Sequence, residues 1–207
     1  MIVNSRQLFA LLALASGILV SGCGTGRVSA AEIEQIVEVL QLESGMSVAD
    51  VGAGDGKWSE QLARHVGETG HVWATEVDES ELEEIEARVT DQGLHNVTAV
   101  LGGEVETGLP DDCCDAILLR LVYHHFKQPA EMRSSLRRAL RPGGLIAIID
   151  IEPQSSWRDL PGVPDRGGHG IPAEDLVAEM SSDGFTVVSR QDRWNGDKDR
   201  YCIVFRP

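Results

Sequence analysis

The segment VADVGAGDGK, Val48 to Lys57, joins a short apolar run to three glycines and an aspartate at the point where a helical pattern begins. Gly52, Gly54 and Gly56 carry no Cβ, so the backbone there can turn tightly and lie close against a ligand. The spacing is G-x-G-x-G, with Lys57 where the dinucleotide fingerprint has its third glycine, so a nicotinamide or flavin reading matches imperfectly. Glu76 ends a second apolar run, 20 positions after Gly56, where a carboxylate can accept two hydrogen bonds from ribose hydroxyls. Asp78, with Glu81 three residues on, reads instead as a capping box for the next helix. Tyr123, His124 and His125 follow a later apolar run, and a histidine that titrates near neutrality can take up a proton from a nucleophile. His169, in a glycine-rich loop, is a further candidate for the wall of a substrate pocket. His124, His125, His169 and the cysteines show neither H-x-x-x-H nor C-x-x-C spacing, so no metal site is expected.

These residues need a scaffold, and the pattern around them supplies one. Ile33, Ile36, Val37 and Leu40 form an amphipathic helical stripe within Ala31 to Leu42. Strands are expected over Met46 to Val51, His71 to Val77, Asn96 to Leu101, Ala116 to Leu121 and Leu145 to Ile151. Helices are expected over Trp58 to Val66, Glu79 to Gln92, Pro129 to Leu140 and Pro172 to Ser182, two of them with proline at the start and one stopped by Pro142-Gly143-Gly144. Regular alternation of this kind implies a doubly wound parallel sheet. Glu152 to His169 reads as a long loop, a kind of segment that is usually functional or disordered. Phe185 to Arg193 and Arg200 to Phe205 are strand-like and flank Asn195-Gly196, a hairpin signal that makes the last strand antiparallel.

The chain resembles the class I S-adenosylmethionine (SAM)-dependent methyltransferases, and within them a small branch with a Tyr-His-His-Phe segment. The likeness runs from about Glu32 to Pro207 and rests on VADVGAGDGK, VWATEVD at Val72 to Asp78, AILLR and VYHHF within Ala116 to Phe126, and LRPGGLIAIID at Leu140 to Asp150, in that order. The resemblance implies an α/β fold with a mostly parallel seven-stranded, Rossmann-like sheet ending in an antiparallel hairpin strand. It implies SAM as cofactor, held by Asp50 at the methionine end, by the glycine loop and by Glu76 at the ribose. Members usually carry Gly-Asp after the third strand to meet the adenine amine; this chain has Gly102-Gly103-Glu104, so either Glu104 from a shifted position or backbone groups take that role. His124 and His125 are the implied catalytic pair, each able to take the proton of a small-molecule methyl acceptor.

One domain, residues 31–207, accounts for the length, after a leader over 1–22 and a linker over 23–30. A formal net charge of −15 with no basic stripe argues against nucleic acid as a partner. In the leader, Arg6 precedes an apolar stretch from Leu8 to Val20 that ends in Val-Ser-Gly-Cys. That ending resembles a bacterial lipoprotein cleavage box, which implies a lipidated Cys23, a membrane tether and a domain facing the periplasm or exterior; an unprocessed leader would leave it in the cytoplasm. Cys113, Cys114 and Cys202 are expected as packing thiols rather than a disulfide scaffold. Trp157 and Trp194 are likewise read as packing residues. A non-catalytic ligand-binding lipoprotein on the same fold and a nicotinamide-linked oxidoreductase remain alternatives. The sequence leaves the methyl acceptor and the oligomeric state open.

Overall fold

A computed structural model describes residues 28–155 and 161–207. The leader, Cys23 and Trp157 lie outside them. Seven strands form one sheet: β1 (Ser47–Val51), β2 (His71–Glu76), β3 (Val97–Leu101), β4 (Cys114–Arg120), β5 (Leu140–Ile151), β6 (Thr186–Asp192) and β7 (Arg200–Arg206). Their order is β3-β2-β1-β4-β5-β7-β6. The first five pair in parallel, whereas β7 runs antiparallel to both β5 and β6. The sheet has the expected hairpin ending, joined by a 3-10 turn over Trp194–Gly196 in which Asn195 and Gly196 both take positive φ, +52° and +79°.

The helices α1 (Ala30–Leu40), α2 (Lys57–Val66), α3 (Glu79–Asp91), α4 (Pro129–Ala139) and α5 (Ala173–Ser182) lie close to the expected spans. The sheet is covered on both faces, which is why its central strands are apolar throughout rather than alternating. Strand β4 shows the division: Ala116 and Leu118 join Ile36 of α1 and Leu62 of α2 in one buried cluster, while Ile117 and Leu119 join Leu136 of α4 and Leu176 of α5 in another. One boundary differs. Leu140 pairs with Cys114, so β5 begins directly after α4 and takes in Pro142-Gly143-Gly144, with a register shift between Cys114 and Ala116. The glycines there make room for an irregular strand start: a Cβ on Gly144 would stand 2.9 Å from the Asp115 carbonyl oxygen.

Asp78 caps α3 as expected, accepting from the Ser80 N–H at 2.8 Å. Cys113, Cys114 and Cys202 are buried free thiols, and Trp194 is 1% exposed. The Trp194 indole N–H donates to Glu32 Oε1 at 3.1 Å, and the same oxygen meets Arg120 Nε at 3.1 Å. Glu32, itself 3% exposed, thus clamps the first turn of α1 to the hairpin turn and to the carboxyl end of β4. No described helix is long and apolar enough to cross a membrane.

Removing one partner of a buried ion pair leaves the other desolvated and unmatched. Glu32→Ala is therefore expected to destabilise the fold by about 3 kcal/mol, measured by urea unfolding of parent and variant. A loss under about 0.5 kcal/mol would mean that the clamp is no more than a surface pair.

Candidate active site

Parallel strands end on one edge, and the strand order reverses between β1 and β4, so a crevice opens there between their following loops. The loop after β1 is set by its glycines. Gly52, Gly54 and Gly56 have φ of +74°, +52° and +73°, a region costly for other residues. The Gly52 and Ala53 N–H groups donate to the Thr75 carbonyl at 2.9 and 3.0 Å, which ties the loop to β2. A Cβ at Gly52 would lie 2.5 Å from Val122, and one at Gly56 would crowd Ile85 of α3 at 3.1 Å; Gly54 has open space before it. The three glycines therefore do different jobs: contact with the loop after β4, room at the loop tip, and close helix packing.

Glu76 ends β2 and lines the crevice. Its Oε1 accepts the Gly54 N–H at 3.0 Å and its Oε2 accepts the Val77 N–H at 2.8 Å. Each carboxylate oxygen has a second lone pair, so both can still receive a hydroxyl. Asp50 does not line the crevice. It is 2% exposed, with Oδ2 accepting the Ser59 hydroxyl at 2.6 Å, so it braces the start of α2. Burial pushes its carboxyl up to about 6, offset in part by the Ser59 hydroxyl and the Arg120 charge.

The crevice is a cleft of about 250 Å³, walled further by Thr75, Val77, Gly102, Gly103, Phe126 and Met132. Val77 is 62% exposed there, an apolar side chain left largely uncovered by the described residues. Glu104 and Lys127 also line the cleft, and they pair with each other. A carboxylate at one end, apolar walls and a glycine loop with open space in front suit a nucleoside carrying a charged tail.

After β4 the chain swings through Leu121, at φ +58°, into a 3-10 turn over Tyr123–His125. Tyr123 is fully buried and anchors the turn, donating to Glu179 at 2.8 Å and accepting from Arg133 at 2.9 Å. The turn separates the two histidines. His125 lines the cleft, whereas His124 lines a second pocket of about 100 Å³ under residues 163–170. The His124 ring nitrogen Nδ1 lies 2.6 Å from Asp150 Oδ1, at the end of β5, and the His124 N–H donates to Asp150 Oδ2 at 3.2 Å. His169 joins them: its Nε2 is 3.0 Å from His124 Nε2, and the His124 and His125 rings are 4.1 Å apart. Burial, with the neighbouring His124 and His169, pushes the His125 imidazole down to about 4, and burial also lowers His169. The His125 ring is thus neutral near pH 7.

Gly52, Glu76, Glu104 and His125 line one cleft, whereas His124 and His169 line the second pocket. Asp150 was not foreseen. Its only sequence signal is an acid at the carboxyl end of a central strand, the same signal that marks Glu76. Lys127 carried no signal, because only the fold places it opposite Glu104.

Residues 49–148 match the family model of the methyltransferase domain. The demethylmenaquinone methyltransferase of Listeria monocytogenes serotype 4a is 28% identical over 129 residues, 62% of this chain and 53% of that protein. Methyltransferase GfsG of Streptomyces halstedii is 34% identical over 128 residues, 61% of this chain and 45% of that one. The chain thus spans about half the length of the curated relatives it matches. Among solved structures, a SAM-dependent methyltransferase from Aquifex aeolicus superposes with a TM-score of 0.70 at 25% identity, over 84% of this chain and 88% of that one. The [4+2]-cyclase SpnF shares the fold alone, with a TM-score of 0.69 at 17% identity over 84% of this chain and 79% of its own. The fold is that of the class I methyltransferases, and it and the matched segment imply SAM as the cofactor.

Because the folded state raises the Asp50 pKa above its ordinary value near 3.8, protonated Asp50 favours folding. That contribution is present below about pH 4 and is lost as pH rises through about 6. Asp50→Asn should therefore be more stable than the parent at pH 7.5, by about 1 to 3 kcal/mol, with the advantage vanishing near pH 4. Urea unfolding across that range checks it; a pH-independent difference would refute a buried, ionisable Asp50.

Proposed function

We propose that this chain is a SAM-dependent methyltransferase acting on a small-molecule acceptor, with the cofactor in the cleft between the loops after β1 and β4. The observation that carries this reading is the pairing of the open glycine loop with Glu76, whose carboxylate holds the Gly54 N–H yet keeps lone pairs toward the cleft. Glu76 would take the ribose hydroxyls, and Val77, Met132 and Gly102-Gly103 would enclose the base, with Glu104 as the polar group nearest to it. Asp50 would act on the methionine end through the braced loop or a water, since its own carboxylate is turned to Ser59.

When bound, SAM supplies an electrophilic methyl group on a sulfonium, and the protein's part is to align a nucleophile and dispose of its proton. His125 stands in the cleft wall, and His124, oriented by Asp150, stands with His169 on the neighbouring pocket. An acceptor resting against this cluster would have its reactive atom at the boundary of the two cavities. The similarity to proteins named demethylmenaquinone methyltransferase supports a small acceptor.

A non-catalytic or differently catalytic role on this fold is the second reading. SpnF favours it, because a cyclase there has the same architecture. A SAM-binding measurement followed by an acceptor screen separates the two: tight binding without turnover on any acceptor class favours the second. We further propose that the leader directs lipidation of Cys23, which places the domain outside the cytoplasm.

Three outcomes are expected. Glu76→Ala should weaken SAM binding, measured by calorimetry, by roughly 1.5 to 3 kcal/mol; unchanged affinity in a folded variant rules it out as the ribose ligand. With an acceptor in hand, His125→Ala should lose about 10²-fold to 10⁴-fold in turnover with SAM affinity nearly intact. Parent-like turnover would exclude His125 from the chemistry. Mass spectrometry of membrane-extracted protein should show an acylated N-terminal Cys23, and a product retaining Met1 would overturn the lipidation proposal.

A further inference from the structure

We propose that His124, His125 and His169 form a binding site for a divalent transition-metal ion of borderline softness, of which Zn²⁺ is the type, using their three ring nitrogens as ligands. Each ring offers one nitrogen, and the three nitrogens lie within 4.8 Å of one another. Three of the six histidines of the chain thus meet at one point, although they come from two segments more than forty positions apart.

The carboxylate that would orient one of the ligands is already in place. Asp150 Oδ1 takes the hydrogen of His124 Nδ1, which fixes the ring and leaves Nε2 to present its lone pair. A carboxylate behind a ligating imidazole is the usual arrangement at zinc sites. Asp150 is itself fully buried and held from the backbone, with Oδ1 accepting the Ile151 N–H at 2.8 Å and Oδ2 the His124 N–H at 3.2 Å. The His124 lone pair then points at another imidazole nitrogen, His169 Nε2, only 3.0 Å away. Two ligands on a tetrahedral zinc with bonds of about 2.05 Å stand roughly 3.3 Å apart. His125 Nε2 is buried without a hydrogen-bond partner among the described residues, a cost that a nearby cation would remove.

His169 is also positioned by more than chance. Gly168 and Gly170 flank it at φ of +142° and +128°. Added Cβ atoms there would strike the backbone of Gln154 at 2.9 Å and the Ile151 carbonyl oxygen at 2.6 Å. A bridge from the Gln154 N–H to the His169 carbonyl at 2.9 Å holds the loop down. The two glycines therefore let the chain press against the end of β5 and set the His169 ring against His124.

The donor set selects the ion class. Three imidazoles with no thiolate or carboxylate in the ligand set suit Zn²⁺, Cu²⁺ or Ni²⁺ and not Mg²⁺ or Ca²⁺, which demand oxygen. With three protein ligands a fourth position stays open, the pattern of catalytic rather than structural sites. His124 and His169 line the small pocket, so that position is available to a water, hydroxyl or thiol entering there. On the methyl-transfer reading the ion would hold and acidify the acceptor's nucleophilic atom, but metal binding itself does not depend on that reading.

The test uses the full chain, stripped with chelator and free of any histidine tag, titrated with Zn²⁺ by calorimetry and with Co²⁺ by visible absorption. One equivalent of Zn²⁺ should bind, and Co²⁺ should give the visible bands of a low-coordinate nitrogen site. His125→Ala and His169→Gln should each weaken Zn²⁺ by at least about 100-fold, Asp150→Asn by about 10-fold to 100-fold, and the exposed His95→Ala not at all. His169 sits in a loop, so its variant keeps the core intact, and circular dichroism confirms each fold. Parent-like affinity in both histidine variants, no Co²⁺ bands, or only non-stoichiometric weak binding would overturn the site. SAM binding, measured in the same samples without metal, reports on the methyltransferase reading separately.

Discussion

Parallel pairing brings the carboxyl ends of β1, β2, β4 and β5 to one edge of the sheet, and Glu76, the Tyr123–His125 turn and Asp150 collect there as a result. Backbone carbonyls and N–H groups within the strands are consumed by their neighbours, so only the turns that leave the sheet have groups to spare. The reversal of strand order between β1 and β4 keeps two of those turns apart. The space between them becomes the cleft, and polar residues near the strand ends serve the site: Glu76 of β2 in the cleft wall and Asp150 of β5 behind His124. Asp50 on β1 is the exception, because α2 folds over it and its carboxylate is turned to Ser59 instead.

The sheet was legible in the sequence because its signals are local. Buried parallel strands read as apolar runs, the helices between them carry their own periodicity and caps, and Asn195-Gly196 announces the hairpin. Glu76 was legible for the same reason, since its distance from the glycine loop is fixed by one helix and one strand. The family resemblance supplied what local patterns do not, namely the cofactor. What neither supplied depends on long-range closure. Asp150 and His124 are 26 positions apart, and His124 and His169 are 45 apart. Neither spacing follows a helix or strand period, so a search for metal-ligand motifs along the chain passes over them. The separation of His124 from His125 was equally hidden: adjacent in sequence, they line different cavities after the backbone turn that begins at Leu121.

The same closure explains why the polar groups here are costly and well supported. Asp150 and His124 are both nearly free of solvent, and each is satisfied by partners that come from other elements. A buried polar network of that kind is favourable only when complete. His125 Nε2 is its incomplete member.

The clamp at Glu32 gives the fold a mechanical property. It joins the first turn of α1 to the indole of Trp194 and to Arg120, whose guanidinium also lies over the Trp58 ring, 4.2 Å from its centroid. Tension arriving along the polypeptide ahead of Ala30 would enter the molecule beside this clamp. It would be shared between the hairpin, the end of β4 and α2 before it reached the hydrogen-bonded ladders of the sheet. Loading therefore meets an ion pair and a cation–π contact first, and a pull on the amino terminus reaches the sheet through Arg120 at the end of β4, whose charge acts on the carboxylate of Asp50.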